Sequence, residues 1–489
     1  MRVGSIVSRR PNILFLFPDQ LRADFLGCYG AAFARTPAID ALAAEGIAYE
    51  RAASMHPVCI PARAALLTGC NAVSTGVLTN NYWLRPDHEA CGMPSWPTLL
   101  SQAGYHTEGI GKMHFIPWDD PEGFAHRVVS EDKRHIHIQD DYADYLAAHG
   151  LQKRRGWDEE GYTEYLMASV SSIPYEHQVD VWCGREAVRF LETYDGDRPF
   201  ACMVAFPGPH DPYDPPADWT EKFDPAEMPP ALPRTADSDA FRDELIKSHR
   251  GGSSRIDLAN FPDSTKRRVR AHYSALIAMI DAQVGAIMTA LARRPDADNT
   301  IVVLAADHGD FVGDYEFLGK NLFFDAAMHV PMIVRIPGGP KGQRSRELVT
   351  VTDLFATFLA VAGVANDTGK DSYPIPALAP EGAPRRRYAL GAVGNGVCIQ
   401  DDRWRLSRYD NGLVTLYDLD LPTAEQVNLI DAPEAQAVRA ELDAALTAEL
   451  LKAAQVGFRD KRYRYVTMTA GHPAHERGWQ RPYPWDGIA

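Results

Sequence analysis

Short apolar segments alternate with long amphipathic ones along most of this chain. Residues 13–17 and 300–305 are apolar runs of strand length, and between 264 and 293 apolar side chains recur at the 3.6-residue spacing of a helix. Strands that alternate with long helices predict an α/β fold, a large and mostly parallel sheet with helices on both faces. Further predicted elements are helices at 37–45, 97–103 and 179–194 and strands at 105–110 and 200–206.

The composition of the chain changes near its C-terminal end. A Pro- and Gly-rich stretch at 366–384 predicts a linker that closes a catalytic domain of residues 1–384. The smaller unit, 385–455, has four short alternating segments and then a helical one at 434–454, which predicts an antiparallel sheet with one packed helix. The remainder, 456–489, is an extended tail that either packs on its own subunit or reaches across a subunit interface.

Two polar and irregular stretches, residues 119–172 and 212–263, interrupt the pattern of the larger domain. Both are predicted to be long loops inserted into the sheet scaffold. Such loops in compact domains are usually functional or disordered. Selectivity for the substrate is therefore expected to reside in them.

The composition also excludes several classes of partner. The 489 residues carry a net charge of −15 without a basic stripe, so nucleic acid is not an expected partner. The seven cysteines are scattered and form no C-x-x-C pair, which disfavours a disulfide framework and fits a reducing compartment. No run reaches the roughly 18 apolar residues that a membrane span needs. The segment at 8–15 is similar to a twin-arginine export signal, but its apolar run is too short, so a cytoplasmic protein is expected.

Polar pairs directly follow two of the predicted strands. Asp19 and Gln20 come after the first strand, and Asp307 and His308 follow the strand that ends at residue 305. Ligands of such sheets bind beyond the carboxyl ends of the strands, where oxygen ligands can meet a hard cation. An Asp at a strand end is also a common turn or cap residue, so each pair alone is a weak signal.

The most specific motif is CIPARAALLTG at residues 59–69. It matches C-x-P-x-R-x-x-x-L-T-G at every specified position, and in this the chain resembles the type I, formylglycine-dependent sulfatases of the alkaline phosphatase superfamily. The resemblance implies that a separate maturase oxidises Cys59 to formylglycine. The hydrate of that aldehyde has two hydroxyls on one carbon, so one can attack sulfur and the other can later collapse to the carbonyl and expel sulfate. The alternative for Cys59 is a small buried thiol.

The resemblance extends over most of the chain and implies an alkaline phosphatase-like fold with one divalent cation. The implied ligands are Asp19, Gln20, Asp307 and His308, together with residue 59. Many sulfatases have two adjacent Asp at the first place and Asp-Asn at the second, which suits Ca²⁺. Here Gln20 and His308 depart from that set and resemble those of phosphonate monoester hydrolases and choline sulfatases. Because imidazole suits Mn²⁺ better than Ca²⁺, either ion is expected.

Positively charged residues complete the implied site around the nucleophile. Arg63, four residues after Cys59, can return from the first helical turn to stabilise the hydrate and the sulfate. Lys112 and His114 are two residues apart in a turn and would contact sulfate and nucleophile. Their alternative is a solvated lysine and a capping histidine. Asp307 is expected to serve both as a ligand and as a base.

Two further residues fall where the family surrounds the bridging oxygen of the ester. His210 lies in a Pro-rich loop after a buried strand, and Lys320 follows the second Asp-led pair. Either could bind the substrate and donate a proton to the leaving oxygen. Asn80 matches a sulfate-binding Asn of some relatives, with the neighbouring Asn81 leaving the register open.

Together these residues predict a sulfatase that hydrolyses an aryl or small organic sulfate to an alcohol and inorganic sulfate. One alternative is a phosphonate monoester or phosphodiester hydrolase with the same nucleophile and metal. Relatives of that kind have Tyr and Thr where this chain has Lys112 and His114. Another is a non-catalytic relative with unmodified Cys59. The expected partners are the sulfate ester, the maturase, and further copies of the chain in a homodimer or homotetramer, without nucleic acid or membrane.

Overall fold

The computed structural model describes residues 10–251, 254–366 and 371–458, so most of the predicted tail lies outside the described residues. The strands in these ranges are β1 (Asn12–Leu16), β2 (Ile47–Ala53), β3 (His106–Gly111), β4 (His126–Val129), β5 (Phe200–Ala205), β6 (Thr300–Ala305), β7 (Met332–Arg335), β8 (Gln343–Thr350), β9 (Ala389–Val393), β10 (Gly396–Gln400), β11 (Trp404–Tyr409) and β12 (Val414–Asp418). The helices are α1 (Pro37–Ala44), α2 (Cys59–Thr68), α3 (Ala72–Thr75), α4 (Trp96–Gln102), α5 (Asp141–Ala148), α6 (Val179–Thr193), α7 (Ala217–Thr220), α8 (Ala236–Gly251), α9 (Asp263–Ala292), α10 (Asp325–Met328), α11 (Asp353–Ala362) and α12 (Gln436–Gly457).

Eight strands form one large sheet in the order β4-β3-β5-β1-β6-β7-β2-β8. Strand β7 runs antiparallel to its neighbours β6 and β2, and the other neighbouring pairs are parallel. Leu16 of β1 pairs with Val204 of β5 and with Leu304 of β6, all near the carboxyl ends of their strands. The loops that follow these strands therefore begin at one edge of the sheet. The predicted α/β fold with a mostly parallel sheet is confirmed.

Both faces of the large sheet are covered. Every residue of β1, β5 and β6 is buried. Since successive side chains of a strand point to opposite faces, complete burial requires protein on both sides. Helix α9 packs against α1 and α6, while α11 packs against α2 and α4. In this second group Phe358 of α11 meets Phe15 of β1 edge-on, with ring centroids 5.2 Å apart.

Helix α9 runs through the core and supports the loop that follows β1. By length and composition it could cross a membrane, but 67% of its most apolar stretch is buried inside the protein. Its Tyr273 packs edge-on against Phe25, with centroids 5.0 Å apart, and donates its hydroxyl to the Gln20 carbonyl at 2.6 Å. The apolar face of α9 is therefore core, and its polar atoms hold the loop that follows β1.

The two stretches predicted as long loops contain regular structure. Strand β4 and helix α5 lie within 119–172, and helices α7 and α8 lie within 212–263. Helix α5 begins where the Asp140 side chain accepts the N–H of Ala143, and it buries only Tyr142 and Leu146. So few apolar positions leave little helical periodicity in this segment, and the sequence therefore did not predict the helix.

A second sheet of four antiparallel strands, in the order β12-β11-β10-β9, forms the C-terminal part. Helix α12 packs on it, with Leu442 and Leu446 in one apolar cluster with Leu406 and Leu416. The predicted antiparallel sheet with one helix is thus confirmed. The fully buried Arg405 of β11 donates to the Phe323 carbonyl at 3.0 Å, so this sheet is tied to the segment that follows Lys320.

Candidate active site

Four neighbouring strand ends bring the predicted site residues to one edge of the large sheet. In the sheet order β3, β5, β1 and β6, the segments that follow carry Lys112, His210, Asp19 and Asp307. All four side chains are buried. Asp19 and Asp307 are 288 positions apart in the chain (307 − 19). They meet here because neighbouring parallel strands end at the same edge of the sheet.

Cys59 is the first residue of α2 and is fully buried. The Asn80 side-chain oxygen accepts the backbone N–H of Ile60 at 2.9 Å, so Asn80 satisfies one of the free donors at the start of this helix. A helix N-terminus carries partial positive charge and stabilises a nearby anion. The fold therefore holds the side chain of residue 59 where negative charge is favoured.

Positive side chains reinforce this preference. The Lys320 Nζ and the His308 Nε2 each lie 3.1 Å from the Cys59 Sγ. Burial raises the pKa of the Cys59 thiol, but the charges of Lys320, His308 and Lys112 outweigh burial and hold that pKa well below its usual value. The pocket is thus built to stabilise an anion at this position.

Arg63 lies one turn of α2 beyond Cys59 and bridges two aspartates. Its Nη2 is 3.0 Å from Asp19 Oδ2 and 2.9 Å from Asp307 Oδ2, and its Nε donates to the same Asp307 oxygen at 3.0 Å. Its Nη1 donates to the Lys112 carbonyl. Burial lowers the pKa of Arg63, but Asp307 and Asp19 outweigh it and raise that pKa, so the guanidinium stays charged. It compensates the two buried carboxylates and connects three strand ends.

The two aspartates that Arg63 bridges also belong to a cluster of possible metal ligands. One donor atom from each of Asp19, Cys59, Asp307 and His308 lies within 4.8 Å of the others, and all four residues are buried. The ring nitrogen Nδ1 of His308 donates to the Gly309 carbonyl at 2.9 Å, so that in the neutral form of the ring, the form that binds a metal, Nε2 is the acceptor that faces the cluster. Two carboxylates and an imidazole are a donor set that divalent first-row ions accept. The residues present therefore fit one divalent cation.

The two aspartates of the cluster differ in their affinity for a proton. Burial raises the pKa of both carboxyls. For Asp19, Lys112, His210 and Arg63 outweigh burial, and its pKa lies below the usual value. For Asp307, burial and the charge of Asp19 prevail, and its pKa is raised. Asp307 is thus the more basic of the two carboxylates, in keeping with its predicted second role as a base.

His210 and Lys320 are in contact with each other. The Lys320 Nζ lies 2.7 Å from the His210 Nε2. The His210 Nδ1 lies 2.6 Å from the Asp211 carbonyl, which can only accept, so Nδ1 carries the proton and Nε2 accepts from Lys320. Both predicted leaving-group acids therefore lie in one hydrogen-bonded chain that reaches residue 59.

Lys112 follows a sharp turn at the end of β3. Gly111 has a φ of 90°, and a Cβ there would lie 2.1 Å from the Ala205 carbonyl oxygen, so only glycine fits. The turn directs the Lys112 Nζ to Asp19 Oδ2 at 2.8 Å. Burial lowers the pKa of Lys112, but the charges of Asp19 and Asp132 outweigh it and raise that pKa, so the ammonium group stays charged. The solvated lysine considered from the sequence is excluded by this burial.

His114 has a left-handed backbone, with φ 62°, and a partly buried side chain beside Cys59. The Nδ1 of its ring is buried without a hydrogen-bond partner. The backbone N–H of His114 donates to a Glu131 carboxylate oxygen at 2.9 Å, which fixes the turn. Burial and the charge of Lys112 lower the pKa of His114 to about 4. The imidazole is therefore neutral near pH 7 and able to accept a proton beside residue 59.

Gln20, predicted as a metal ligand, directs its amide toward Lys320. Its side-chain oxygen accepts from the Lys320 Nζ, and its Nε2 donates to Asp310. Asp310 also accepts the Tyr213 hydroxyl at 2.7 Å and the Gly319 N–H at 2.9 Å. Sequence reasoning missed Asp310, although it ends the same DHGD motif that supplies two ligand candidates. The role of Gln20 as a ligand stays a prediction.

Three charged residues that contact Lys112 and His210, directly or through each other, were not predicted from the sequence. Asp132 lies 3.4 Å from the Lys112 Nζ, Asp211 lies next to His210, and Arg134 pairs with both carboxylates. Two of them come from the polar stretch that was predicted only as a loop. Their signal in the sequence, a run of charges without periodicity, is the same as that of a solvated surface segment.

A buried histidine anchors the loop that leads from Asn80 to the next helix. The His88 Nδ1 lies 2.7 Å from the Met93 carbonyl and its Nε2 lies 2.9 Å from a Glu122 carboxylate oxygen. Both partners only accept, so both ring nitrogens donate and His88 is an imidazolium. The other Glu122 oxygen accepts the indole N–H of Trp83 at 3.0 Å. Burial lowers the pKa of His88, but the hydrogen bond to Glu122 and its charge outweigh it and raise that pKa.

We expect His88→Gln to destabilise the fold at low pH more than at high pH. Because the folded-state pKa of His88 is raised, its contribution is fully present below the unfolded-state pKa of about 6.5 and is lost as the pH rises through the folded value. Below pH 6 the variant should lose about 1–3 kcal/mol in the free energy of unfolding, the usual worth of a charged hydrogen bond. Urea denaturation from pH 5.5 to 8.5 measures this, with the exposed His149→Gln as the matched control. A loss that stays constant over this range would contradict the assignment.

A family model described as "Sulfatase" matches residues 11–364 of the chain. Among curated proteins, the chain is 27% identical over 452 residues to an arylsulfatase of Clostridium perfringens, which covers 87% of this chain and 91% of the relative. It is 25% identical over 512 residues to a choline-sulfatase of Rhizobium meliloti, with 98% and 93% covered. The match to the family model includes β1 to α11 and with them every predicted site residue.

Solved structures show the same architecture. A phosphonate monoester hydrolase from Silicibacter pomeroyi superimposes with a TM-score of 0.75 at 22% sequence identity, covering 92% of this chain and 96% of that one. At this identity the likeness shows the fold alone. The large mixed sheet and the small antiparallel sheet together form an alkaline phosphatase-like fold.

Proposed function

Since the chain belongs to the sulfatase family and is a sulfuric ester hydrolase, we propose that its substrate is an aryl or other small organic sulfate. Residue 59, converted to formylglycine, acts on this ester together with one divalent cation. The observation that carries this proposal is the environment of Cys59 at the start of α2. Its Sγ lies 3.1 Å from both the Lys320 Nζ and the His308 Nε2. In the modified protein, a hydroxyl oxygen of the formylglycine hydrate would stand where Sγ is.

The anionic ester is bound by a locally cationic pocket within an acidic protein. Lys112 is a buried cation and Lys320 a half-buried one, both favour an anion at residue 59, and the N-terminus of α2 adds backbone donors. Arg63 is engaged by two aspartates, so it orders the ligands and contributes its charge from behind them. Donors fixed in this way stabilise the charge that develops on the sulfate oxygens.

The nucleophile is activated by the same groups. A formylglycine hydrate supplies one hydroxyl to attack sulfur and a second whose deprotonation returns the aldehyde and releases sulfate. Lys320 and Lys112 favour the ionised form of the attacking hydroxyl, as they favour the ionised thiol. His114, neutral near pH 7 and in contact with residue 59, accepts the proton of the second hydroxyl, with Asp307 as the alternative base.

Asp19, Asp307 and His308 would hold the cation together with residue 59, with Gln20 as a further candidate. This donor set suits Mn²⁺, and its two carboxylates also suit Ca²⁺. A bound cation would supply Lewis-acid polarisation of the sulfate oxygens. The leaving oxygen is protonated by Lys320, whose Nζ lies 3.1 Å from the Sγ of residue 59. His210 is the partner that accepts from Lys320 and can return a proton.

We expect the enzyme to prefer sulfate over phosphonate esters. The likeness to a phosphonate monoester hydrolase makes that activity the second candidate. Against it, enzymes of that kind have Tyr and Thr at the positions where this chain has Lys112 and His114. The kcat/KM for 4-nitrophenyl sulfate should exceed that for a phenyl phosphonate ester by at least about tenfold. Assays after chelation, with Ca²⁺ or Mn²⁺ returned separately, identify the ion that supports the rate. A preference for the phosphonate would overturn the assignment.

We also propose that the protein is matured by a formylglycine-generating enzyme and works in the cytoplasm as a homodimer or homotetramer. The C-x-P-x-R core at 59–63 supports the first point, and the seven cysteines, none of which is in a disulfide, fit a reducing compartment. Light scattering of the purified protein measures the assembly, and cell fractionation measures the location. A monomer, or a protein recovered outside the cytoplasm, would reject the corresponding point.

A further inference from the structure

One partly buried guanidinium, that of Arg134, connects Lys112 on one side of the candidate site with His210 and Lys320 on the other. Arg134 pairs with Asp132 and Asp211, which stand behind Lys112 and His210 respectively. We propose that Arg134 is a positioning residue, which holds the sulfate-binding lysine and the leaving-group acids in their places relative to residue 59. The proposal rests on the sulfate ester hydrolysis proposed above, and it adds a residue that acts only through others.

On one side, Arg134 and Lys112 share a single carboxylate. The Arg134 Nε lies 3.0 Å from Asp132 Oδ1, and its Nη2 lies 3.0 Å from Asp132 Oδ2, a two-point contact that fixes the plane of the carboxylate. The Arg134 backbone N–H donates to Oδ1 as well, at 2.8 Å. The Lys112 Nζ lies 3.4 Å from Oδ2 and 2.8 Å from Asp19. Arg134 thus supplies three of the hydrogen bonds to Asp132, and Lys112 shares Oδ2 with it while lying closer to Asp19.

On the other side, the remaining Arg134 nitrogen reaches the leaving-group acids. Its Nη1 donates to Asp211 Oδ2 at 2.9 Å. The other oxygen of Asp211 lies 3.4 Å from the His210 Nδ1 and 3.4 Å from the Gln20 Nε2. Gln20 in turn accepts from the Lys320 Nζ. Asp211 is therefore the point at which Arg134 controls both His210 and Lys320.

The charge balance explains what the loss of Arg134 would do. Its side chain is 26% exposed, whereas those of Asp132 and Asp211 are 4% and 12% exposed. Without the guanidinium, two buried carboxylates would lack their main partner and would draw the nearest donors toward themselves. For Asp132 that donor is the Lys112 ammonium group, and for Asp211 the donors are the His210 Nδ1–H and the Gln20 amide. Lys112 and His210 would be displaced from residue 59, although neither was mutated.

The test is the dependence of the rate on the leaving group. Protonation of the leaving oxygen matters most for esters of weakly acidic alcohols, so displaced acids should slow those esters most. For Arg134→Ala we expect kcat/KM to fall about 100-fold with phenyl or alkyl sulfate but only about tenfold with 4-nitrophenyl sulfate. A role in folding alone would lower both rates by the same factor.

Further variants separate positioning from stability. Arg134→Lys keeps the charge but cannot make three directed contacts, so its rates should lie between those of the wild type and of Arg134→Ala. Millimolar guanidinium ion should restore part of the phenyl sulfate activity of Arg134→Ala. The control is Arg154→Ala, which removes a half-buried arginine of the same insertion that pairs with Glu159 at 3.3 Å, away from the site. It should show wild-type rates for both esters and no rescue.

Two outcomes would overturn the proposal. One is an equal loss for both leaving groups in Arg134→Ala without rescue, and the other is no loss at all. The proposed function is judged separately, from the wild-type rates on sulfate esters. If the wild type cleaved phosphonate monoesters instead, the same two leaving groups on a phosphonate would measure the role of Arg134, so the failure of one proposal would not conceal the other.

Discussion

Replacing Cys59 with alanine is expected to abolish sulfate ester hydrolysis, lowering kcat/KM by at least about 10⁴-fold. Alanine cannot be converted to formylglycine, so the attacking hydroxyl is absent while the cations around it remain. The fold should survive, because alanine is favourable in a helix and Cys59 makes no backbone cap of α2. Initial rates with 4-nitrophenyl sulfate, together with far-ultraviolet circular dichroism, measure the two effects.

The matched control is Cys202→Ala, which removes another fully buried cysteine from β5 and leaves the site intact. It should cost about 1 kcal/mol of stability through the small cavity and retain wild-type rates. The intact mass of the wild type provides the positive evidence, since conversion of the thiol to the aldehyde removes about 18 Da. Full activity in protein with an unmodified mass, or in Cys59→Ala, would refute the assigned nucleophile.

Replacing Arg63 with methionine is expected to damage both stability and catalysis. The guanidinium compensates Asp19 and Asp307, whose Oδ2 atoms it contacts at 3.0 and 2.9 Å. Its removal leaves two buried carboxylates facing each other, a change that typically costs about 3–5 kcal/mol. We expect kcat/KM to fall by about 10²–10³ in addition, because the ligand oxygens and the anion-stabilising charge are both disturbed. Urea denaturation and initial rates measure the two losses.

A second buried arginine separates the two effects of the Arg63 change. Arg386 donates to Asp353 at 2.9 Å, at the start of α11, so Arg386→Met should lose comparable stability but keep its rate per folded molecule. Added Ca²⁺ or Mn²⁺ should stabilise Arg63→Met more than the wild type, since the cation replaces part of the missing charge. Equal rate losses in the two variants would mean that Arg63 serves the fold alone.

Much of the fold could be predicted from local patterns. Strand β6 lies at 300–305 as predicted, and the long core helix α9 differs from its predicted bounds by one residue at each end. These elements carry strong apolar periodicity, which reflects burial directly. Helices α5 and α8 were missed for the opposite reason, because their largely polar faces bury few side chains and resemble a loop.

The site was predictable to the extent that its chemistry lies in contiguous motifs. Cys59 and Arg63 share one motif, and each Asp-led pair follows one strand, so residue type and spacing indicated their roles. Gln20 and Asp310 show the limit of such reasoning. Gln20 directly follows a predicted strand and Asp310 lies two residues after His308, yet only the structure shows that the Gln20 amide joins Asp310 to Lys320.

The sequence by itself determined the family, and it predicted the nucleophile and the kinds of ligand, because these depend on residue types at fixed short spacings. The tertiary structure decided which charges meet: that Arg63 bridges Asp19 and Asp307, that Lys320 contacts His210, and that Arg134 joins Asp132 to Asp211. The physical reason is that these contacts connect separate strand ends and inserted loops. Sheet order and the turns after each strand set their distances, and neither is encoded in the periodicity of any one segment.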